Sequence, residues 1–116
     1  MSKIKDYIRG DTRVITINCF QSDGTTPINL TGATVTFTLN ANASPTDDTS
    51  AALQKVVTSH TSPLLGITTV TINNADTQTL TPGDYYYDVQ IKDASGNYTS
   101  LKKDIFTINP DITRAI

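Results

Sequence analysis

Leu80-Thr81-Pro82-Gly83-Asp84-Tyr85-Tyr86-Tyr87-Asp88-Val89-Gln90-Ile91 is the stretch whose reading decides the fold class. Pro82-Gly83 is a turn pair, because proline presets φ at one corner position and glycine accepts the positive φ of the next. The chain then alternates: Tyr85, Tyr87, Val89 and Ile91 share one side, and Tyr86, Asp88, Gln90 and Lys92 the other. That period of two belongs to a strand with one buried face. Tyr85 or Tyr87 is placed to bond backbone near the preceding turn, as a tyrosine corner does. Tyr86, on the outer face, is a candidate interface residue.

Working outward, Asp93-Ala94-Ser95-Gly96-Asn97 is a hairpin signal, and residues 98–109 return as the last strand with Ile105 or Phe106 and Ile108 reaching the core. A short tail, residues 110–116, carries Ile112 and Ile116 and is expected to dock onto a neighbour; Tyr98, Ile112 and Ile116 join Tyr86 as candidate interface residues. Upstream, Asn74 and Asp76 form a helix-start signal for at most one turn, with Leu80 closing onto the core. Residues 64–73 read as a strand whose parity changes between Ile67 and Val70, which implies a bulge near Thr68 or a misplaced boundary. Residues 52–59 make another strand. Residues 41–50, small and polar with Pro45 and Asp47-Asp48, read as a loop.

Residues 33–40 alternate most cleanly, with Val35, Phe37 and Leu39 facing inward and Thr34, Thr36, Thr38 and Asn40 outward, solvated or at an interface. Asp23-Gly24 and Pro27 mark turns before them. Residues 12–20 give the first strand, with Ile15, Ile17 and Cys19 on the core side.

The chain has 116 residues, 37% hydrophobic and 17% charged, which suits one domain around a single core. A net charge of −2 with Lys102-Lys103 as the only adjacent basic pair gives no footprint for a phosphate backbone, so no nucleic-acid partner is expected. No apolar run has signal-peptide or membrane-spanning length, so a soluble chain made in a cytoplasm, with no membrane partner, is expected. Asn29, Asn42 and Asn97 begin Asn-x-Ser/Thr triplets, read as by-products of a Thr- and Asn-rich composition.

Catalytic chemistry finds little to work with. Cys19 is the one cysteine, so no intrachain disulfide forms, and nothing near it in sequence activates a thiol; it reads as a core residue. His60 lacks partner ligands and a nucleophile to serve, and reads as a solvent-facing turn residue. Asp47-Asp48 lack the alternating oxygen ligands of an EF-hand loop. There is no Gly-rich phosphate loop and no Gly-x-Ser-x-Gly elbow, so no catalytic, cofactor or metal site is expected.

About seven short strands, regular turn signals and no long helical period predict an all-β fold, an immunoglobulin-like antiparallel β-sandwich formed by residues 1–116 as one domain. The ordered blocks Ile8-Arg9-Gly10-Asp11-Thr12, Asp23-Gly24, Pro27-Ile28-Asn29-Leu30-Thr31-Gly32-Ala33-Thr34-Val35-Thr36-Phe37, Asp76-Thr77, the opening stretch, Asp93-Ala94-Ser95-Gly96 and Phe106-Thr107-Ile108-Asn109-Pro110-Asp111-Ile112-Thr113 together cover nearly the whole chain. Their order and spacing resemble the N-terminal immunoglobulin-like domain of phage baseplate upper proteins and related small virion proteins. The resemblance implies a non-enzymatic part of a tailed-phage particle. The chain departs from the baseplate proteins by ending after the sandwich, which makes a head, neck or tail accessory role equally compatible.

Expected partners are other virion proteins, with copies of the chain in a symmetric assembly, and the expected location is the virion after assembly in the host cytoplasm. Open sheet edges, Thr-rich outer faces and the apolar tail offer strand addition and side-chain contacts without pocket chemistry. The alternative is a carbohydrate- or receptor-binding adhesion module using Tyr86, Tyr98 or residues 41–50. The absence of Trp weighs against it.

Overall fold

The computed structural model describes residues 3–42, 51–101 and 103–112. Among them lie strands β1 (Ile4–Ile8), β2 (Arg13–Asn18), β3 (Thr34–Asn40), β4 (Leu53–Val57), β5 (Ile67–Ile72), β6 (Gly83–Lys92), β7 (Tyr98–Ser100) and β8 (Asp104–Asn109). A 3-10 turn, Pro63–Leu65, and a one-turn helix α1, Asn74–Thr77, complete the elements. One mixed sheet has the order β1-β8-β6-β3-β4, with β7 beside the far end of β6; β2 and β5 form a second sheet. The arrangement is all-β and compatible with a β-sandwich.

Alternation builds the core. Val35, Phe37 and Leu39 on β3, and Val89 and Ile91 on β6, are buried with Phe106 and Ile108 on β8, and Ile17, Val70 and Ile72 come from the smaller sheet. Phe37 stacks on Tyr87 at 5.4 Å between ring centroids, while Phe106 meets Tyr7 edge-on at 5.3 Å, the geometries that aromatic quadrupoles favour. Tyr85 Oη donates to the Thr81 carbonyl at 2.7 Å, so the first of the two candidate tyrosines ties its strand to the Pro82-Gly83 turn. The Asp93 hairpin also forms as the sequence predicts, with the Asp93 carboxylate accepting from the Ser95 and Asn97 N–H groups at 2.9 Å.

Four expectations need correction. The sheet is not antiparallel throughout: β1 runs parallel to β8 along the sheet edge. This strand escapes a period-two reading because its register shifts between Ile4 and Tyr7, with Asp6 at φ 61, so that two core-facing residues lie three apart. Arg13 fills the defect, its guanidinium donating to the carbonyls of Lys5 (3.3 Å) and Asp6 (3.0 Å) above the Tyr7 ring.

Residues 64–73 are not one strand. Pro63–Leu65 forms the 3-10 turn with Leu64 and Leu65 exposed, Gly66 ends it at φ 69, and β5 begins at Ile67 with Thr68, Val70 and Ile72 all facing the core. The change of parity therefore marks a boundary and not a bulge. The last strand is likewise broken, into β7 and β8. Finally, Asn40 is buried on the face expected to be solvated; its Oδ1 accepts from Asn42 N–H, and its Nδ2 has no partner among the described residues.

Candidate interaction surfaces

The outer face of the larger sheet is built by the same alternation that fills the core. Tyr86 stands there half-buried between Asn40 on β3 and Ile105 on β8, its cross-strand neighbours. Tyr98 pairs with Lys92 at the other end of β6 and is 62% exposed, with the Lys92 ammonium 5.6 Å from its ring centroid. Six residues of β6 separate these positions, about 20 Å at strand rise. The two tyrosines share a face but do not form one patch.

Ile112 is fully exposed, while the residue before it is held firmly. Asp111 Oδ1 accepts from Arg9 Nε at 2.8 Å and lies 2.8 Å from Arg9 Nη2, with the side chains only 17% and 6% exposed. Arg9 Nη1 also reaches the Leu80 carbonyl at 3.2 Å. The first part of the tail is thus a structural clasp between β1, the end of β8 and the turn before β6. Ile116 lies outside the described residues, as do Pro45, Asp47, Asp48 and Lys102.

Cys19 and His60 are both tied into the packing of the fold. Cys19 is buried, and desolvation pushes its thiol up to about 11, away from the thiolate that nucleophilic chemistry needs. His60 is not a solvent-facing turn residue: it is half-buried, with Nε2 2.7 Å from the Ala33 carbonyl and Nδ1 2.9 Å from Thr68 Oγ1. A carbonyl can only accept, so in the neutral ring Nε2 carries the proton and Nδ1 accepts from Thr68. The imidazole therefore joins the start of β3 to β5, a role its position in a polar break does not announce. Among the described residues no three His, Cys, Asp or Glu side chains gather where they could hold a metal.

A second polar knot anchors β1. Tyr7, fully buried, donates from Oη to the Asp11 carbonyl at 2.6 Å and lies 2.7 Å from Thr77 Oγ1, which accepts from Gly10 N–H at 2.9 Å. Burial raises the Tyr7 phenol above its ordinary value, partly offset by the Thr77 bond. Asn74 Nδ2 adds a bond to the Gly10 carbonyl at 2.7 Å. These contacts fix α1 under the β1–β2 turn.

Between β2 and the start of β1 lies a cleft of about 460 Å³ whose inner wall includes Phe37 and Tyr87 and whose rim includes Lys3, Thr16 and Phe20. Sequence offers one signal for it, the run from Val14 to Phe20 without a charge or proline, the devices that commonly blunt a sheet edge.

The chain matches no family model, no curated protein and no solved structure.

Proposed function

We propose that the chain is an immunoglobulin-like sandwich serving as a non-enzymatic structural or attachment component of a tailed-phage particle, acting through protein–protein contacts. The observation that carries the fold half of this reading is the strand order: β3, β6 and β8 lie side by side as strands C, F and G of that fold do, β2 and β5 pair opposite them as B and E do, and Tyr85 is bonded back to Thr81 at the expected corner. The particle half rests on the ordered sequence blocks, from Ile8-Arg9-Gly10-Asp11-Thr12 to Phe106-Thr107-Ile108-Asn109-Pro110, whose resemblance to virion immunoglobulin-like domains spans nearly the whole chain. Baseplate, neck, tail and head-accessory positions are all compatible with it.

On this reading the partners are other virion proteins and further copies of the chain in a symmetric assembly, and the site of action is the particle after assembly in the host cytoplasm. The negative net charge favours protein over nucleic-acid contacts. The adhesion alternative draws on Tyr98, whose exposed ring beside Lys92 is the kind of surface on which a sugar stacks. A glycan array probed with the chain separates the two readings.

The tail beyond Asp111, which begins with exposed Ile112, supplies the test. A chain stopping after Asp111 keeps the Arg9 clasp and is expected to fold normally yet to enter particles less well. Unchanged incorporation of that folded chain would remove the tail from the attachment mechanism.

A further inference from the structure

The smaller sheet has an open side along β2. Cys19 N–H donates to the Gly66 carbonyl at 2.7 Å, one step beyond the last ladder pair, Asn18 with Ile67. Backbone groups alternate in direction along an antiparallel ladder, so Ile17 and Ile15 turn theirs toward β5 as Cys19 does. Val14, Thr16 and Asn18 turn theirs away from β5, and β2 has no second neighbour among the described strands. An added strand would find its hydrogen-bond partners there.

The cleft beside this edge reaches the sandwich core, with Ile15 and Ile17 along its wall and Phe37 and Tyr87 at its back. Alternate side chains of an added strand would enter it, in the way alternate residues of β3 and β6 fill the core already. The charge at its mouth selects among occupants. Lys3 lines the cleft just before β1, Lys5 follows on β1 and Arg13 opens β2, while Asp6, exposed on β1, and Asp104, opposite Tyr87 on β8, are the neighbouring carboxylates. The local balance is positive on a chain whose net charge is −2. A second copy is a poor complement: of its edge strands, β1 carries Lys5 and Asp6, β2 Arg13 and β4 Lys55, while β5 and β7 carry no charge, so none brings net negative charge to the cleft.

We propose that the free edge of β2 takes up an extended segment of a partner protein by strand addition, with alternate apolar side chains in the cleft and a carboxylate against Lys3 and Lys5. This deepens the attachment reading and rests on it. Its experiment separates the two, because binding at the cleft is measured on the isolated chain and incorporation is measured in particles.

The probe is a fluorescent, end-capped peptide of sequence DITVTID, compared with KITVTIK, titrated into the full chain. The acidic peptide is expected to bind about tenfold or more tightly than the basic one, and to protect the amides of Val14, Thr16 and Asn18 from hydrogen exchange. Thr16→Pro removes an outward N–H without touching the β5 ladder and should weaken binding about tenfold. Because that variant can disturb β2, the paired change K3E/K5E on exposed side chains gives an independent reading and should reverse the peptide preference. Equal binding of the two peptides, no binding of the acidic one, or a preference unmoved by K3E/K5E would overturn the proposal. So would self-association through β2 that excess acidic peptide fails to dissolve.

Discussion

Gly66→Ala is the substitution whose cost the fold determines most sharply. Gly66 sits at φ +69, where an L-residue pays about 1–2 kcal/mol for the approach of its Cβ to the backbone. A Cβ there would also collide with the Cys19 carbonyl oxygen and lie 3.0 Å from the Ile28 carbonyl oxygen and 3.2 Å from the Ile28 nitrogen. All three are backbone atoms, so no side chain can rotate out of the way. Relief requires moving β2 or the Ile28 segment, which strains the bonds from Cys19 N to Gly66 O (2.7 Å) and from Ile28 N to Cys19 O (2.9 Å), each worth about 1 kcal/mol. The sum is about 3–4 kcal/mol.

Gly24→Ala is the control, because Gly24 has a similar φ of +76 and nothing within 4 Å of the added Cβ. It should cost only the conformational part, about 1 kcal/mol. Urea unfolding followed by circular dichroism reads both: with m about 2 kcal/mol/M, Gly66→Ala should lower the midpoint by about 1.5–2 M and Gly24→Ala by about 0.5 M. If the two variants unfold within about 0.3 M of each other, the close crossing of β2, the Ile28 segment and the start of β5 is not as described.

Three further outcomes follow from the contacts above. Asp111→Ala leaves the Arg9 guanidinium at 17% exposure without its carboxylate and should cost about 2–3 kcal/mol in denaturant unfolding, discounted from a fully buried pair, whereas stopping the chain after Asp111 should cost under about 0.5 kcal/mol. Tyr85→Phe should lose about 1 kcal/mol with its bond to Thr81, while Tyr86→Phe, read in the same assay, should change stability by under about 0.5 kcal/mol. Asp76 gives the pH dependence: burial pushes its carboxyl up, but the Lys55 ammonium at 2.7 Å and the Asn73 N–H at 2.7 Å outweigh that and hold it below the ordinary range. Its stabilising effect is therefore present above the unfolded value near pH 4 and lost as pH falls through the lower folded value, and Asp76→Asn should flatten that limb of a stability–pH curve.

What the sequence discloses here is whatever obeys a simple period or a local turn rule. The β6 alternation, the Asp93 hairpin, the burial of Cys19 and the single turn at Asp76 all belong to that class, since each depends on neighbours within a few residues. The misses depend on partners far along the chain. β1 hides because its bulge at Lys5 and Asp6 breaks the period and because the Arg13 guanidinium that satisfies those carbonyls comes from the next strand. His60 bonds Ala33, 27 residues away, and Asp111 bonds Arg9, 102 away, so neither polar residue announces its structural use locally. Leu64 and Leu65 mislead in the opposite sense, being apolar and exposed in a turn that Pro63 and Gly66 enforce. Of the interface candidates, Tyr98 and Ile112 are exposed, Tyr86 is half-buried, and the β2 edge with its cleft emerges only when the two sheets are assembled.

We propose that this domain is a part of a virus particle. Quantitative mass spectrometry of purified particles from the source culture, with copies of the chain counted against the major capsid and tail proteins, tests it most directly. A fixed ratio across preparations is the predicted result, and its value would distinguish a ring at the neck or baseplate from decoration of the head. A chain present in infected cells but missing from intact, infectious particles would contradict the claim.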